Sequence, residues 1–292
     1  MTKAQDWQLV FLLWGEKYGV DEVNQLIEGV IRNGHPPARI TMISDRPRPG
    51  LLPEVTLCPM PEFFKNPVLQ GPGCQAKLAI FEEGILPTDM PAIFLDIDTM
   101  VLGDLSKVLD LLETPETVAM IQSAIVPFGP IGRALYRWSD GKRYARGNSS
   151  VVAFHPAHCH YVAARFRELF REYNGLNYRP MIADERFISW ATQPYVRAIP
   201  RNMVVKFPTE FMMPWRWLNY VRGAMPWKRR QWAGLIAVTF PGLDLKGQKL
   251  AEMPEGNELT DRKGRVLVWS NRTIGPLRAK IIAHYAAMQS GK

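Results

Sequence analysis

The stretch Pro91-Ala-Ile-Phe-Leu-Asp-Ile-Asp-Thr-Met100 joins an apolar run, Ala92–Leu95, to an acidic pair, Asp96 and Asp98. A short apolar run of this kind is typical of a buried strand. Carboxylates at positions i and i+2 of an extended segment point to opposite faces, so they converge on one ligand only if the chain bends after the strand. Gly103 follows closely, and such a bend is therefore expected.

The chain upstream of the acidic pair alternates between strand and helix patterns. Trp7–Trp14 and Ala38–Ile43 are apolar runs that predict strands. Asp21–Asn33 lies between them and carries apolar residues at helical spacing. Gln75–Phe81 predicts another helix after a proline-rich loop. The alternation predicts an α/β fold with a Rossmann-like, mixed but mostly parallel sheet flanked by helices.

Candidate binding residues fall at three predicted strand ends. In sheets of this class, ligands bind beyond the carboxyl ends of the strands. Gly15, Asp45 and Asp96 all occupy such ends, so we expect them to line one crevice. Tyr18 follows the first strand closely. Its ring either stacks on a nucleotide base or packs against the protein.

The second half of the chain is less regular. It shows neither an internal repeat nor a clear linker, which predicts a single domain with an irregular C-terminal part. We assign the main domain to residues 1–250 and a C-terminal extension packed on it to residues 251–292. The predicted elements of this half are helices at Ser106–Leu112, His160–Tyr173, Asp184–Ala191 and Ile274–Gln289, and strands at Val118–Gln122, Ser149–Phe154 and Leu235–Phe240.

Composition narrows the class of protein. The 292 residues are 47% apolar, which suffices for a large core and excludes a disordered chain. Cys58, Cys74 and Cys159 form no CxxC pair, and a reducing compartment is expected. No apolar stretch approaches about 18 residues, so we expect a cytoplasmic, bacterial enzyme. The net charge of +8 favours anionic partners.

The acidic pair alone leaves three interpretations open. Hard carboxylate oxygens suit Mg²⁺ or Mn²⁺ bound together with substrate phosphates. Alternatively, Asp96 and Asp98 cap a turn or pair with neighbouring arginines. Asp96 would be the nucleophile in a haloacid-dehalogenase-type phosphatase, which also carries DxD after an apolar strand. Against that class, some ninety residues precede the motif, and Thr99 lies one place earlier than its pattern requires.

Four segments occur in an order that indicates one family. They are Cys74-Gln-Ala-Lys-Leu78, Phe94-Leu-Asp-Ile-Asp-Thr-Met-Val-Leu-Gly-Asp-Leu105, Gly147-Asn-Ser-Ser-Val-Val-Ala-Phe154 and Ala183-Asp-Glu-Arg-Phe-Ile188. Together they resemble the family-8 glycosyltransferases of the GT-A fold, over roughly residues 7–250. Their order and spacing carry the resemblance, because each segment other than the DxD is weak alone.

The resemblance implies transfer of a hexose from a UDP-sugar to a glycan or lipid-linked acceptor, with retention of anomeric configuration. It implies that Asp96 and Asp98 hold Mn²⁺ or Mg²⁺ on the diphosphate. Asp184 and Glu185 would contact the sugar and stabilise its ring, although acidic residues also favour a first helical turn. The implied donor-binding residues are Lys77, Asp96, Asn148 and Lys246, and we add Tyr18 and Asp45 because they follow predicted strands.

The sequence also departs from the family pattern. The family's late His-x-x-Gly-x-x-Lys-Pro is best matched by Thr239–Lys246, which lacks the histidine and displaces the lysine by one residue. Asp244 is a candidate replacement for the missing ligand. Glu185 stands where glutamine is usual, and Ser150 where glycine is usual. A degenerate GT-A domain that binds nucleotide or membrane without turnover is therefore an alternative.

The segment between Phe211 and Leu243 contains no acidic residue, while tryptophan and arginine are frequent. This composition favours contact of residues 211–232 with an anionic membrane at its inner face. It also suits stacking on sugars or simple packing. Pro214 and Pro226 argue against one long helix. No nucleic-acid motif accompanies the charge, so nucleic acid is not an expected partner.

Overall fold

The computed structural model describes residues 5–122, 127–241 and 245–290. Within these ranges the chain forms twelve strands. They are β1 (Gln8–Leu13), β2 (Arg39–Ser44), β3 (Val55–Pro59), β4 (Ala92–Leu95), β5 (Thr99–Val101), β6 (Val118–Gln122), β7 (Gly147–Phe154), β8 (Val196–Ile199), β9 (Val204–Lys206), β10 (Ala237–Thr239), β11 (Glu258–Thr260) and β12 (Val266–Val268).

Helices connect most of these strands. The α-helices are α1 (Val20–Asn33), α2 (Pro130–Trp138), α3 (Pro156–Cys159), α4 (Tyr161–Glu172), α5 (Asp184–Ala191), α6 (Phe207–Phe211), α7 (Arg216–Ala224), α8 (Pro226–Ala233), α9 (Gly247–Glu252), α10 (Asn271–Ile274) and α11 (Leu277–Ser290). Short 3₁₀ helices span Glu62–Lys65, Gln75–Phe81, Leu105–Leu111 and Arg179–Ile182.

The chain divides into two compact units. The first comprises residues 1–97 and 104–200, and the second comprises residues 98–103 and 201–292. The acidic pair spans the division, since Asp96 belongs to the first unit and Asp98 to the second. The predicted boundary at residue 250 falls inside the second unit, and the assignment of 1–250 and 251–292 stays a prediction.

The first unit is built on a seven-stranded sheet in the order β3-β2-β1-β4-β7-β6-β8. Neighbouring strands are parallel except at β7, which runs antiparallel to both β4 and β6. The predicted α/β class with a mixed, mostly parallel sheet is confirmed. Residues of β1 and β4 are buried on both faces, which explains why their sequences are continuous apolar runs.

The reversed direction of β7 determines which of its residues lie near the acidic pair. Leu95 at the end of β4 pairs with Val151, and the Asp96 amide donates to the Ser150 carbonyl at 2.9 Å. The beginning of β7 therefore reaches the carboxyl edge of β4. Asn148 and Ser149 come to the same edge as Asp96 for this reason, although a parallel strand would have placed them at the opposite one.

The second unit contains a three-stranded sheet in the order β5-β10-β9 and a hairpin of β11 and β12. Its core includes the fully buried rings of Phe207, Trp232, Phe240 and Trp269. The aromatic segment folds as two helices, α7 and α8, and Pro226 begins the second one. The expectation that Pro214 and Pro226 prevent one long continuous helix is confirmed.

Most predicted elements occur within one to three residues of their expected bounds. Gln75–Phe81 is helical as predicted, although it is a 3₁₀ rather than an α-helix. Elements that were not predicted are strands β5, β8, β9, β11 and β12 and helices α2, α3 and α6 to α10. Among the residues that the structure describes, every helix is too short or too polar to cross a lipid bilayer.

Candidate active site

A buried lysine and two carboxylates form the centre of the candidate site in the first unit. Lys77 lies on the 3₁₀ helix Gln75–Phe81, and its Nζ is 2.7 Å from both carboxylate oxygens of Asp96. The same Nζ is 3.6 Å from Oδ2 of Asp184. The side chains of Lys77, Asp96 and Asp184 are only 13%, 20% and 7% exposed. Their charges are therefore weakly screened by solvent.

Burial and charge act in opposite directions on this cluster. Burial lowers the pKa of Lys77, but the charges of Asp96 and Asp184 outweigh burial and raise it above its ordinary value. Burial raises the pKa of Asp184, and Lys77 and the Ser149 hydroxyl offset that effect only in part. Lys77 is consequently a cation at neutral pH, and its charge together with the Ser149 hydroxyl favours the ionised form of Asp184.

Asp184 is fixed from several directions. Ser149 Oγ donates to its Oδ2 at 2.5 Å, and its backbone amide donates to the Gly73 carbonyl at 2.9 Å. Asp184 is also the first residue of α5, so the expectation that it lies in a first helical turn is confirmed. A carboxylate placed only to favour the helix dipole would remain exposed, whereas this one is buried beside Lys77.

Asn148 and Glu185 form a second pair beside the cluster. Asn148 Nδ2 donates to Glu185 Oε2 at 2.9 Å, and Asn148 Oδ1 accepts from the Ser150 amide at 3.3 Å. Ser189 of α5 accepts a hydrogen bond from the Gly147 amide at 2.8 Å, which ties α5 to the start of β7. Four predicted site residues besides Asp96 are thus brought together, and they are Lys77, Asn148, Asp184 and Glu185.

Asp45 lies at the carboxyl end of β2, as predicted, in an ion pair of its own. Its Oδ2 accepts from the Gly15 amide at 3.1 Å, and its Oδ1 lies 2.7 Å from Arg48 Nη2. Burial acts to raise the pKa of Asp45, but the Gly15 amide and Arg48 prevail and lower it. Tyr18 is half-buried, and Lys17 Nζ lies 4.7 Å from its ring centre. A donor-binding role for both residues stays a prediction.

The second unit contains Asp98 and Lys246. Ile97 and Asp98 form a turn directly after β4, as the expected bend requires, and the Asp98 carbonyl accepts from the Phe240 amide at 2.9 Å. Burial and, to a lesser extent, the charge of Asp98 raise the pKa of Tyr285. Lys246 directly precedes α9, and its role stays a prediction. Asp244 lies outside the described residues.

Sequence analysis missed two neighbours of Lys77. Ser149 supplies the hydroxyl on Asp184, and its signal was the polar start, Asn148-Ser-Ser150, of a strand that continues as an apolar run. Cys74 has a left-handed backbone with φ of 53°, which is uncommon for a residue with a Cβ. Burial raises the pKa of its thiol, with smaller influences from Lys77 and both aspartates. No sequence signal marked Cys74 beyond its place in the quoted segment.

The metal prediction depends on the donor set. Within the described ranges, no group of three or more histidine, cysteine, aspartate or glutamate residues is placed to hold a metal ion. Asp96 and Asp98 do supply hard carboxylate oxygens, and Mg²⁺ is commonly bound through one or two carboxylates together with water and substrate phosphates. The residues therefore fit a metal that arrives with a diphosphate rather than a preformed metal centre.

Comparison with known proteins identifies the fold. No family model matches the sequence, and no curated protein matches it. Solved structures do match, and they show that the chain has the GT-A fold of glycosyltransferases. One is the galactosyltransferase LgtC in complex with donor and acceptor sugar analogs, at 12% identity and a TM-score of 0.51, covering 96% of this chain and 95% of that one.

Two further structures agree. An active-site mutant of LgtC that replaces a glutamine with glutamate matches at 14% identity and a TM-score of 0.52, over 82% of this chain and 89% of that one. The bifunctional glycosyltransferase WbbM matches at 12% identity and a TM-score of 0.53, over 98% of this chain but only 53% of WbbM. At such identities the likeness establishes the fold, and the chemistry must be argued from the site.

Proposed function

We propose that the protein transfers a hexose from a UDP-sugar to a glycan or lipid-linked acceptor, with assistance from Mn²⁺ or Mg²⁺. The observation that carries the proposal is the buried cluster of Lys77, Asp96 and Asp184 beyond the carboxyl end of β4. In a GT-A fold this edge of the sheet is the place where a ligand binds. The neighbouring Asn148–Glu185 pair adds groups that hydrogen-bond sugar hydroxyls.

The charge balance of the cluster supports the metal. One ammonium group, on Lys77, faces the carboxylates of Asp96 and Asp184, with Glu185 close by. A diphosphate that approached this excess of negative charge would be repelled. A divalent cation removes the conflict, and it also stabilises the departing diphosphate. Asp96 and Asp98 are the residues that would hold it.

The remaining roles follow from the demands of glycosyl transfer. The transition state carries positive charge on the sugar ring. We assign the carboxylates of Asp184 and Glu185 to stabilise that charge. Ser149 keeps Asp184 in place, while Asn148 orients Glu185. We assign Tyr18, Asp45, Lys77 and Lys246 to the donor nucleotide, and we expect retention of the anomeric configuration.

The phosphatase hypothesis is less consistent with this geometry. A nucleophilic aspartate needs one carboxylate oxygen free to attack phosphorus. Both oxygens of Asp96 lie 2.7 Å from Lys77 Nζ, and the fold is that of glycosyltransferases. The second alternative, a degenerate domain that binds nucleotide without turnover, keeps the same site and differs only in activity.

Calorimetric titration with UDP, with and without Mn²⁺, tests the binding half of the proposal. We expect UDP to bind at least about tenfold more tightly with metal, because the cation offsets the carboxylates, and Asp98→Ala to abolish that gain. Uridine, which lacks the diphosphate, should be insensitive to metal. The control variant Asp89→Ala removes an aspartate from an exposed pair with Arg39 and should retain the metal effect. Equal UDP affinity with and without metal would refute the proposal.

Hydrolysis of UDP-hexoses in the presence of Mn²⁺ tests the catalytic half. Glu185→Gln retains the hydrogen-bonding shape and removes the charge, so we expect a lower rate at saturating UDP-hexose and Mn²⁺. Metal-dependent UDP binding without release of sugar from any UDP-hexose, with or without acceptor glycans, would favour the degenerate domain. Phosphate release from a phosphomonoester that is lost in Asp96→Asn would favour the phosphatase.

A further inference from the structure

Helix α7 carries its apolar stripe on the side that faces solvent. Trp217, Tyr220, Val221 and Ala224 occupy the i, i+3, i+4 and i+7 positions, and all four are exposed. In a surface helix this spacing normally marks the side that packs on the core. Here Asn219 and Gly223 are buried instead. The helix is therefore amphipathic, but its aromatic side faces the solvent and its small or polar residues face the protein.

Specific contacts within the second unit fix this orientation. Asn219 Nδ2 donates to the Val266 carbonyl of β12 at 3.0 Å. Gly223 packs so closely on α10 that a Cβ at this position would overlap the Arg272 carbonyl oxygen. Rotating α7 to bury its tryptophan would break the first contact and create a clash at the second. The apolar stripe is thus held outward by the fold.

Helix α8 continues the exposed aromatic surface. We define the aromatic face as Trp215, Trp217, Tyr220, Val221, Ala224 and Trp227. The three tryptophans are 61%, 58% and 64% exposed. Trp215 and Trp217 stack with 5° between their planes and 6.1 Å between ring centres. Side chains of this size are costly to leave in water, so their collective exposure indicates a partner surface.

A buried ion cluster holds the two helices in register. The Glu210 carboxylate, only 3% exposed, is 2.6 Å from Arg222 of α7 and 2.9 Å from Lys228 of α8. It also accepts from Trp232 Nε1 at 3.0 Å. Two of the basic residues of the segment are therefore structural. The aromatic face is rigid as a consequence, and little entropy is lost when it binds a partner.

The charge around the aromatic face selects the kind of partner. Between Phe211 and Leu243 the sequence has no acidic residue. Arg216 pairs with Glu258 at 2.6 Å, and Arg229 Nε donates to the Gly223 carbonyl at 2.6 Å, while Arg230 and Arg272 are exposed. A surface of tryptophan and tyrosine rimmed by arginine complements the interface of a bilayer that contains anionic lipids. A protein partner would need its own acidic rim around an apolar groove, which is a narrower requirement.

We propose that the aromatic face of α7 and α8 inserts into the headgroup region of an anionic membrane, with Arg230 and Arg272 on the lipid phosphates. The aromatic side chains enter the boundary between headgroups and acyl chains to a depth of roughly 5–10 Å. The proposal does not depend on the proposed transferase activity. It assigns a partner to a surface of the second unit whether or not the cluster at Lys77 performs catalysis.

Vesicle sedimentation with the full chain tests this proposal. The vesicles contain phosphatidylcholine alone or a mixture of phosphatidylcholine with anionic phosphatidylglycerol. We expect the chain to bind the anionic vesicles. Its binding to the neutral vesicles should be weaker and independent of salt. Trp217→Gln/Val221→Gln should bind at least about tenfold less well, because it removes inserted apolar area. Arg230→Gln/Arg272→Gln should weaken binding about fivefold per charge removed, on anionic vesicles only.

The matched control is Trp138→Gln, which removes an even more exposed tryptophan from α2 in the first unit. It should bind vesicles like the unchanged chain, and thermal melting should show that all variants remain folded. Failure of the unchanged chain to bind anionic vesicles would overturn the proposal. So would equal losses in Trp138→Gln and Trp217→Gln/Val221→Gln.

Two other outcomes would assign the aromatic face to a different partner. A tryptophan emission shift with soluble oligosaccharide but not with vesicles would assign the face to sugar binding. A dimer disrupted by Trp217→Gln/Val221→Gln would assign it to self-association. UDP binding should be unchanged in all of these variants, so failure here is separable from failure of the proposed function.

Discussion

Replacing Lys77 with methionine tests the electrostatic interpretation of the site through stability alone. Methionine keeps most of the side-chain length, so packing near Phe94, whose ring centre lies 5.8 Å from Nζ, is largely retained. The charge is lost, and Asp96 and Asp184 remain buried without their counter-ion. Removal of one partner from a buried ion pair typically costs about 3–5 kcal/mol. Because Asp96 is 20% exposed, we expect the lower end, about 3 kcal/mol at pH 8.

The pH dependence of that loss follows from the pKa of Asp184. Burial already raises it, and removal of Lys77 deletes the strongest influence that lowers it. The pKa of such a carboxyl is higher in the folded state than in the unfolded state, where it is about 3.9. Its contribution to stability is fully present below the unfolded-state pKa and is lost as the pH rises through the folded-state pKa. The deficit of Lys77→Met should therefore shrink on acidification from pH 8 to pH 5, by at most about 1.4 kcal/mol per pH unit for one proton.

Urea denaturation at pH 5, 6, 7 and 8 measures both quantities. Lys65→Met is the matched control, because Lys65 pairs with Glu62 at 2.9 Å but the two side chains are 39% and 88% exposed. An exposed pair is worth about 0–1 kcal/mol, and no pH trend is expected from it. Lys77→Arg keeps the charge and should lose less than Lys77→Met at every pH. A loss below about 1 kcal/mol in Lys77→Met, or one that is constant from pH 5 to pH 8, would refute the electrostatic interpretation.

Three further substitutions test contacts that support the cluster at Lys77 or the aromatic face. Urea denaturation measures the effect of each on stability. Ser149→Ala removes the hydroxyl on Asp184 and should cost about 1–3 kcal/mol, because a buried acceptor loses its donor; no loss would show that the 2.5 Å contact is incidental. Glu210→Gln should cost about 3–5 kcal/mol, since two buried cations lose their counter-ion; a neutral result would contradict a structural role for the cluster. Gly223→Ala places a methyl group against the Arg272 carbonyl and should destabilise by about 1–3 kcal/mol, whereas an ordinary exposed helical glycine would gain stability from alanine.

The parts of the site that sequence could predict lie on continuous runs of chain. Strand β4 was predicted with the bounds that the structure has, Ala92–Leu95, because a short apolar run ends in two carboxylates. Helix α5 was predicted equally well as Asp184–Ala191. In both, the boundary and the functional residue coincide, so local pattern suffices to place the residue at the correct end of an element.

Contacts between distant segments could not be predicted in the same way. The hydrogen bond from Ser149 to Asp184 depends on the reversed direction of β7. An apolar run of this length predicts a strand but not its direction. The same limit applies to β5, whose three residues, Thr99–Val101, lie directly after the acidic pair. Its partner β10 comes more than a hundred residues later, and nothing local indicates the pairing.

Helix α7 shows a different limit of sequence-based prediction. Its apolar spacing is clear, but the spacing does not tell whether the apolar side faces the core or the solvent. The spacing of Trp217, Tyr220 and Val221 predicts one apolar side, and a stripe of this kind packs inward in most helices. The outward direction is decided by Asn219 and Gly223 through β12 and α10, elements some fifty residues downstream. Sequence could therefore indicate an exposed or a buried stripe, but only the packing distinguishes the two.

Two of the departures from the pattern of family-8 glycosyltransferases would act on a bound cation in opposite ways. The histidine missing from Thr239–Lys246 is a neutral ligand in the family, so its loss reduces the number of coordinating groups. Glu185 in place of glutamine adds negative charge beside Asn148, and charge attracts a cation without coordinating it. A cation held mainly by charge binds weakly alone and needs phosphate oxygens to complete its shell. We therefore expect Mn²⁺ and UDP to bind cooperatively, with little Mn²⁺ binding in the absence of UDP and a smaller metal effect in Glu185→Gln. Calorimetric titration of Mn²⁺ with and without UDP measures this coupling, and tight Mn²⁺ binding to the protein alone would show that a complete set of protein ligands exists.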